Sequence, residues 1–369
     1  MAATILDPPF DLTAVPDCPA VFLVRLREGR PYLARTARLR RRLFRLLGPR
    51  SSASRLLSLS DAAERVEYHL TASRLASSLL LYEFARRHFP DEYAGILKLR
   101  PAVFLKVLLS NPFPRTTVTT RLSASQAFQY GPFRSRASAE KFEQELLDLF
   151  QVRRCQEDLE PSPDHPGCIY GEMMKCLRPC QEVVGAEEYR TESARLVEFL
   201  STGGASLLEP AAAARDRFCQ DLDFEQAQRQ HARYLRIEQV LKQRDELAAG
   251  IDSLCGAVVA PSPEPGCVEL FFLLHGAWAG PVEFRVAASG GEMVPLDRRL
   301  RDLLPAVQPA RLTLRQRGEH LAILARWFYS SWRDAEWIPF AAPDQPPYRR
   351  LVRAISKTAA GSQTSLFES

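Results

Sequence analysis

The stretch "AVFLVRLREGRPYLARTARLRRRL", residues 20–43, constrains the fold more than any other. Two short apolar runs flank "REGR", where Gly29 can supply a positive φ, so residues 19–35 are predicted to form a β-hairpin. Leu39, Leu43, Leu46 and Leu47 then recur at helical spacing, with arginines between them. That pattern predicts an amphipathic helix over 36–47. "RVEYHL" (65–70) supplies a third strand, and a helix from Ala72 to His88 should stop before Pro90. Together these define a small antiparallel-sheet module over residues 1–98.

Further on, apolar runs in 101–122 are split by "SNPFPR" and predict strands, "YGPF" (130–133) predicts a turn, and 136–151 an amphipathic helix. Residues 155–180 carry four cysteines in loop-like sequence. A helix is expected over 186–201, ending at Gly203–Gly204. Residues 209–248 have the pattern of a helical hairpin pivoting at Leu222–Phe224. From 251 the character changes. "GAVVA", "CVELFFLLHG" and "VEFRVAA" are strand-like, and "GEHLAILARWFYSSW" (318–332) is an apolar helix. The tail from Lys357 is polar and predicted to be disordered. The expected fold is α+β and multidomain. Its pieces are a module at 1–98, a cysteine-bearing connecting domain at 99–205, the hairpin at 206–248, an α+β region at 249–352 and a disordered tail at 353–369.

The formal net charge is only +5, yet Arg35, Arg38, Arg40, Arg41, Arg42, Arg45 and Arg50 crowd one short stretch. A local patch of that kind is suited to phosphate binding; its plainer reading is a solvated helix face. No apolar run reaches membrane-spanning length, and "MAATILDPPFDL" lacks the charged start and apolar core of a leader. A cytoplasmic protein without a membrane partner is expected, so the eight cysteines are read as thiols or metal ligands rather than a disulfide framework.

Cys155, Cys168, Cys176 and Cys180 follow the spacing C-x12-C-x7-C-x3-C. Four thiolates converging from loops suit tetrahedral Zn²⁺ or a [4Fe–4S] cluster. Tight C-x2-C knuckles are absent, which leans toward iron–sulfur, and four unligated thiols remain the alternative. Arg153, Arg154, Lys175 and Arg178 could offset thiolate charge and favour the ionised form. Cys18, Cys219, Cys255 and Cys267 are read as core or surface thiols, and the six histidines form no ligand or triad pattern.

In order, the strand–turn–strand–Arg helix, "YGPF", the C…C…RPC segment, "EYRTESARLVEFL" and "DLDFEQAQ" resemble UvrC, the incision subunit of bacterial nucleotide excision repair. The resemblance runs from residue 18 to about 245. It implies a GIY-YIG nuclease module, a cysteine site reported in the family as iron–sulfur, and a UVR hairpin at 209–245 that docks on UvrB. The chain leaves no evident room for the family's second, RNase H-like nuclease. Phosphodiester hydrolysis in such a module needs cations near the phosphate and one divalent metal, Mg or Mn, on a fixed carboxylate.

Residue by residue, the resemblance places Ala20-Val21-Phe22 at "GIY", losing the tyrosine at Phe22, and Tyr32-Leu33-Ala34 at "YIG", keeping it at Tyr32. Arg35 replaces a lysine, Arg42 matches the helix arginine, and Leu81 falls where a metal-binding glutamate is expected. Glu83 is two residues away, roughly 200° around a helix. Arg38, Arg40, Arg41 and Arg45 are the expected DNA contacts. Phe218, Leu222, Phe224, Ala227, Leu235 and Ile237 could form the hairpin's docking face, although His231-Ala232 replaces the family's "RD". The reading is a UvrC-like, DNA-binding repair protein with an impaired incision site. An active single-incision endonuclease and a scaffold without a DNA role are the alternatives.

Overall fold

The computed structural model describes residues 3–48, 58–124, 126–286, 294–309 and 311–364. Arg50 and residues 365–369 of the tail lie outside the described residues.

The chain begins with β1 (Thr4–Leu6), β2 (Ala20–Leu26), β3 (Tyr32–Thr36), α1 (Leu39–Leu47), β4 (Ala63–Leu70), α2 (Arg74–His88) and α3 (Tyr93–Leu97). Next come β5 (Val103–Leu108), β6 (Thr116–Thr119), β7 (Ala127–Phe133), α4 (Arg136–Leu147), α5 (Ile169–Glu172), α6 (Ala186–Ser201), α7 (Ala205–Gln220), α8 (Phe224–Lys242) and β8 (Ala249–Gly250). The remainder is β9 (Cys255–Pro261), β10 (Cys267–Leu274), β11 (Ala277–Arg285), α9 (Leu296–Leu303), α10 (Leu314–Phe328), β12 (Glu336–Phe340) and α11 (Tyr348–Thr364). The fold is α+β, with three antiparallel sheets of four strands among the described residues. No helix among the described residues is long and apolar enough to cross a membrane.

These elements form two compact units. One comprises residues 1–100, 255–310 and 326–369; the other comprises 101–254 and 311–325. The cuts after residues 100 and 254 lie near the expected 98 and 248, whereas no cut falls at 205 and residues 311–325 return to the second unit. The hairpin joins the cysteine-bearing domain because Ile237 and Val240 of α8 enter the same core as Phe142, Leu196 and Phe199. The C-terminal strands fold with the N-terminal module in a discontinuous unit, an arrangement local patterns cannot reveal.

In the first unit the N-terminal sheet has the order β1-β4-β2-β3. The predicted hairpin is present. Val24 pairs with Tyr32, and Gly29 takes φ +88 in the turn. Strand alternation divides β2 between two cores. Ala20, Phe22 and Val24 pack under α1 with Leu39, Leu43 and Leu46, while Val21 and Leu23 pack under α2 with Leu80, Phe84 and Phe89. α2 starts where Ser73 caps it, its Oγ accepting from the Ala76 N–H at 3.0 Å. The second sheet of this unit, β11-β10-β9-β12, has every residue of β10 buried. α11 packs Leu351, Ala354 and Ile355 into its core. α11 continues to Thr364, so residues 353–364 are helical where the polar composition predicts a disordered tail.

In the second unit, "YGPF" is the end of strand β7 rather than a turn. Gly131 is needed for a close backbone approach: a Cβ there would lie 2.9 Å from the Val103 carbonyl oxygen. α6 matches its expected span of 186–201, and Gly203 and Gly204 follow it with φ +62 and +99.

Candidate functional site

The groups expected to serve phosphate chemistry are held in two places. Tyr32 projects from β3 toward α1, where its hydroxyl accepts a 2.6 Å hydrogen bond from Arg42 Nη2. Phe22 lies beside it, ring centroids 6.0 Å apart, and is completely buried under α1. Its position offers no hydroxyl and is closed to solvent. Arg35 is three residues beyond Tyr32, so strand alternation turns it to the opposite sheet face with Leu33. There Arg35 Nη1 donates to Ser78 Oγ of α2 at 3.5 Å. Burial, followed by Arg326 and Arg74, disfavours the charged form of Arg35. Tyr32 and Arg42 are thus together, and Arg35 is not with them.

Leu81 packs with the apolar residues between β2 and α2. Glu83 lies on the solvent side of α2, near Arg86 and Arg87. Though exposed, its carboxyl is surrounded by enough protein mass that desolvation raises its pKa, with Arg87 and Arg86 opposing the rise. Among the described residues no carboxylate pairs with Tyr32, Arg35 or Arg42.

Helix α1 is amphipathic as its periodicity predicted. Leu39, Leu43, Leu46 and Leu47 are buried, and Arg38, Arg40, Arg41 and Arg45 are exposed. Arg40 Nε donates to the Val15 carbonyl at 2.6 Å, so this arginine is partly committed to structure. Arg38, Arg41 and Arg45 form no ion pair among the described residues and leave their guanidiniums open to an anion.

The four cysteines share a neighbourhood. Cys176 and Cys180 are buried, Cys155 is half-buried and Cys168 exposed. Burial pushes the Cys176 thiol up to about 11, helped by Cys155, Cys168 and Cys180 and opposed by the Arg178 backbone N–H, which donates to Cys176 Sγ at 3.4 Å. Of the four cations expected around the thiols, Arg153 reaches one directly, its Nη1 donating to Cys155 Sγ at 3.4 Å. Arg154 and Lys175 instead bind Asp148, at 2.8 and 3.0 Å.

Arg153 is only 1% exposed, and its role was not legible in the sequence. Its Nε donates to the Phe113 carbonyl and Nη1 to that of Glu157. Its backbone N–H donates to Tyr189 Oη, which in turn donates to the Pro114 carbonyl. This strut ties α6 and the β5–β6 connection to the cysteine segment. Among the described residues no group of three or more His, Cys, Asp or Glu stands where it could hold a metal ion. The thiols are near enough to affect one another's ionisation without meeting that condition. A cubane, which takes each thiolate on a different iron, tolerates a wider spread than one tetrahedral ion does.

In the α7–α8 hairpin the expected docking face divides. Ala227 and Ile237 are buried, whereas Leu222 and Phe224 at the tip are 72% and 67% exposed and Leu235 is also exposed. Phe218 is half-buried.

Residues 102–199, from β5 through α6, match the UvrC/Cho excinuclease middle domain. The chain is 21% identical over 286 residues to the UvrABC system protein C of Lachnospira eligens, covering 76% of this chain and 47% of that protein. The corresponding protein of Acetivibrio thermocellus is 21% identical over 357 residues, 95% of this chain and 57% of the relative. That of Haloarcula marismortui is 26% identical over 293 residues, 77% and 47%. No solved structure matches. The α+β chain is thus similar, over residues 102–199, to the middle domain of UvrC/Cho excinucleases. The chain is UvrC-like, and it spans about half the length of the curated relatives it matches.

Proposed function

We propose that this protein acts in nucleotide excision repair as a DNA-binding, UvrC-like component whose GIY-YIG-like module grips the phosphate backbone without cutting it. The observation that carries the reading is the fate of the two departures. Phe22 is fully buried and Leu81 is half-buried in apolar packing, while Tyr32 and Arg42, themselves half-buried, keep their hydrogen bond to each other. A module of this kind keeps a hydrogen-bonding and cationic face but lacks a carboxylate at the position implied for holding Mg or Mn. Without that anchor, and with no carboxylate bonded to Tyr32 or Arg42 among the described residues, the pair has no partner that would fix a divalent ion. Arg38, Arg41 and Arg45, with Arg40 partly engaged, supply the sequence-independent attraction to phosphates.

The same reading assigns Cys155, Cys168, Cys176 and Cys180 to a [4Fe–4S] cluster, with zinc as the competing occupant. Four gathered thiols, one with an arginine donor and one with a backbone N–H donor, suit the donor set and hydrogen bonding of such a cluster. Bound there, the cluster would brace the loop-rich segment 155–180. The tip of the α7–α8 hairpin, with Leu222 and Phe224 exposed, is assigned to a UvrB-like partner helix pair.

Two measurements on the purified chain decide among the readings. Supercoiled plasmid is incubated with Mg²⁺ or Mn²⁺, and binding to duplex DNA is titrated against salt. Binding without nicking is expected. Nicking that disappears in Tyr32→Phe establishes the active endonuclease instead, and absence of salt-dependent binding leaves only the scaffold.

A further inference from the structure

A cavity of about 530 Å³ opens at the N-terminal end of α2, and its charge is unbalanced. Its walls come from three distant parts of the sequence: Arg35 of β3, Ser73 and Arg74 at the start of α2, and Arg326, Trp332 and Asp334 near the C-terminus. All lie within one compact unit. Arg326 and Arg74 line the same cavity and lie close enough to Arg35 to disfavour its charge, after burial itself. None of the three forms an ion pair among the described residues.

Asp334 is the carboxylate in this lining, and both its oxygens are already engaged. Oδ2 accepts the Arg74 backbone N–H at 2.6 Å, and Oδ1 accepts the Trp327 indole N–H at 3.0 Å. It fixes the start of α2 rather than neutralising a guanidinium. Arg74 is further held over the Trp332 ring, 5.4 Å from its centroid. The positive end of the α2 dipole is met by Asp334 and the Ser73 cap, so the uncompensated charge of the cavity is that of the guanidiniums. Guanidiniums gathered in a concave wall repel one another, and the repulsion is relieved by an anion that several can share.

The chemistry of the site selects the anion. Guanidinium forks match phosphate oxygens in bidentate geometry. A phosphomonoester carries close to two negative charges at neutral pH, against one for a backbone diester. A recess also suits a chain end better than a strand that must enter and leave, and the volume falls in the range of small-ligand sites, about 300–1,000 Å³. We infer that this cavity takes the terminal phosphomonoester of a DNA strand, held by Arg35, Arg74 and Arg326. The inference rests on the DNA-binding reading above and adds a specific recognition chemistry to it.

The test compares the full chain with Arg74→Gln and Arg326→Gln, both exposed positions whose melting curves should match the parent's. Duplexes identical except for a phosphate or a hydroxyl at the strand end, 5′ or 3′, are titrated at one salt concentration. The phosphorylated end should bind roughly tenfold tighter, about what one charge-assisted contact supplies. Both variants should lose that preference and keep their affinity for hydroxyl-ended duplex. Equal binding of the two ends by the parent, or a preference that survives in both variants, overturns the pocket while leaving general DNA binding intact. Binding of neither duplex overturns both. A deoxynucleoside monophosphate that competes as strongly as a phosphorylated oligonucleotide overturns the strand-end assignment in favour of a free nucleotide.

Discussion

The Tyr32 hydroxyl and the Arg42 guanidinium are joined by a 2.6 Å hydrogen bond from α1 to β3, with the buried Phe22 ring alongside. This pair sets a phenol and a cation, both half-buried, side by side with no carboxylate paired to either among the described residues. Plasmid nicking with Mg²⁺ or Mn²⁺ should therefore be no faster for the parent than for Arg42→Ala. Tyr32→Phe should lower stability by about 1 kcal/mol, the net worth of one partly exposed hydrogen bond, measured by denaturant titration. A metal-dependent cut abolished by either substitution contradicts the inactive assignment.

DNA affinity should fall steeply with salt, because each neutralised phosphate releases counterions. Replacing Arg38, Arg41 and Arg45 together with glutamate should flatten the plot of log affinity against log salt by roughly two to three units, near 0.9 per lost contact. Arg40 is left out of this set because its Nε supports the Val15 carbonyl and its loss would mix binding with folding. An unchanged slope in the triple variant places the DNA contact elsewhere.

The readable parts of the fold are those set by neighbours in the chain. The β2–β3 hairpin follows from Gly29 between two strand-like runs, and α6 from an apolar period closed by two glycines. "YGPF" misleads because Gly131 serves the approach of Val103 and Phe104 from another strand, not a turn. α11 is hidden by its polar composition and formed by three apolar residues packed on a distant sheet. At the candidate site, Tyr32 and Arg42 are visible as a motif. Arg74 and Arg326 are not, since they are brought to Arg35 only by the discontinuous unit. Arg153 illustrates the same limit: its charge suggested thiolate compensation, but complete burial and carbonyl partners make it a strut as well.

Tyr189 and the cysteines can be separated experimentally. Tyr189→Phe leaves the Arg153 N–H and the Pro114 carbonyl without their buried partner, at a cost of about 1–3 kcal/mol. Cys176→Ser removes one of the four thiols assigned to the proposed cluster. Protein purified without oxygen should be brown and contain about four irons per chain, the composition of a cubane. Cys176→Ser should be colourless, while Tyr189→Phe should keep its colour and melt earlier. Stoichiometric zinc in colourless parent protein would assign the site to zinc.

Glu269 gives the stability curve a pH signature. It is 2% exposed on β10, its Oε2 has no hydrogen-bond partner among the described residues, and it faces Glu283 across the β10–β11 pair. Burial, reinforced by Glu283, raises its carboxyl to about 7. The folded state therefore binds a proton more tightly than the unfolded chain does. Its contribution is fully present below the unfolded pKa near 4.5 and is lost as pH rises to about 7. The parent should be less stable at pH 8 than at pH 5.5 by up to roughly 2 kcal/mol from this group alone, and Glu269→Gln should remove that difference. Parallel melting curves for parent and variant across this range refute the assignment.

The hairpin tip offers the cleanest separation of binding from folding. Leu222 and Phe224 lie at the α7–α8 turn and are largely exposed, so replacing either with a polar residue removes little buried surface. Leu222→Ser and Phe224→Ser should each change stability by less than about 0.5 kcal/mol, as surface substitutions do. If this tip docks a UvrB-like helix pair, its two large apolar side chains are the natural anchors, and anchor truncations typically cost about 2 kcal/mol or more. Affinity for a UvrB-type partner should therefore drop at least about 30-fold in Phe224→Ser, measured by calorimetry. Ile237→Ser, by contrast, should destabilise the chain because Ile237 is part of the second unit's core. Full affinity in Phe224→Ser would show that the partner, if any, meets another face of the hairpin.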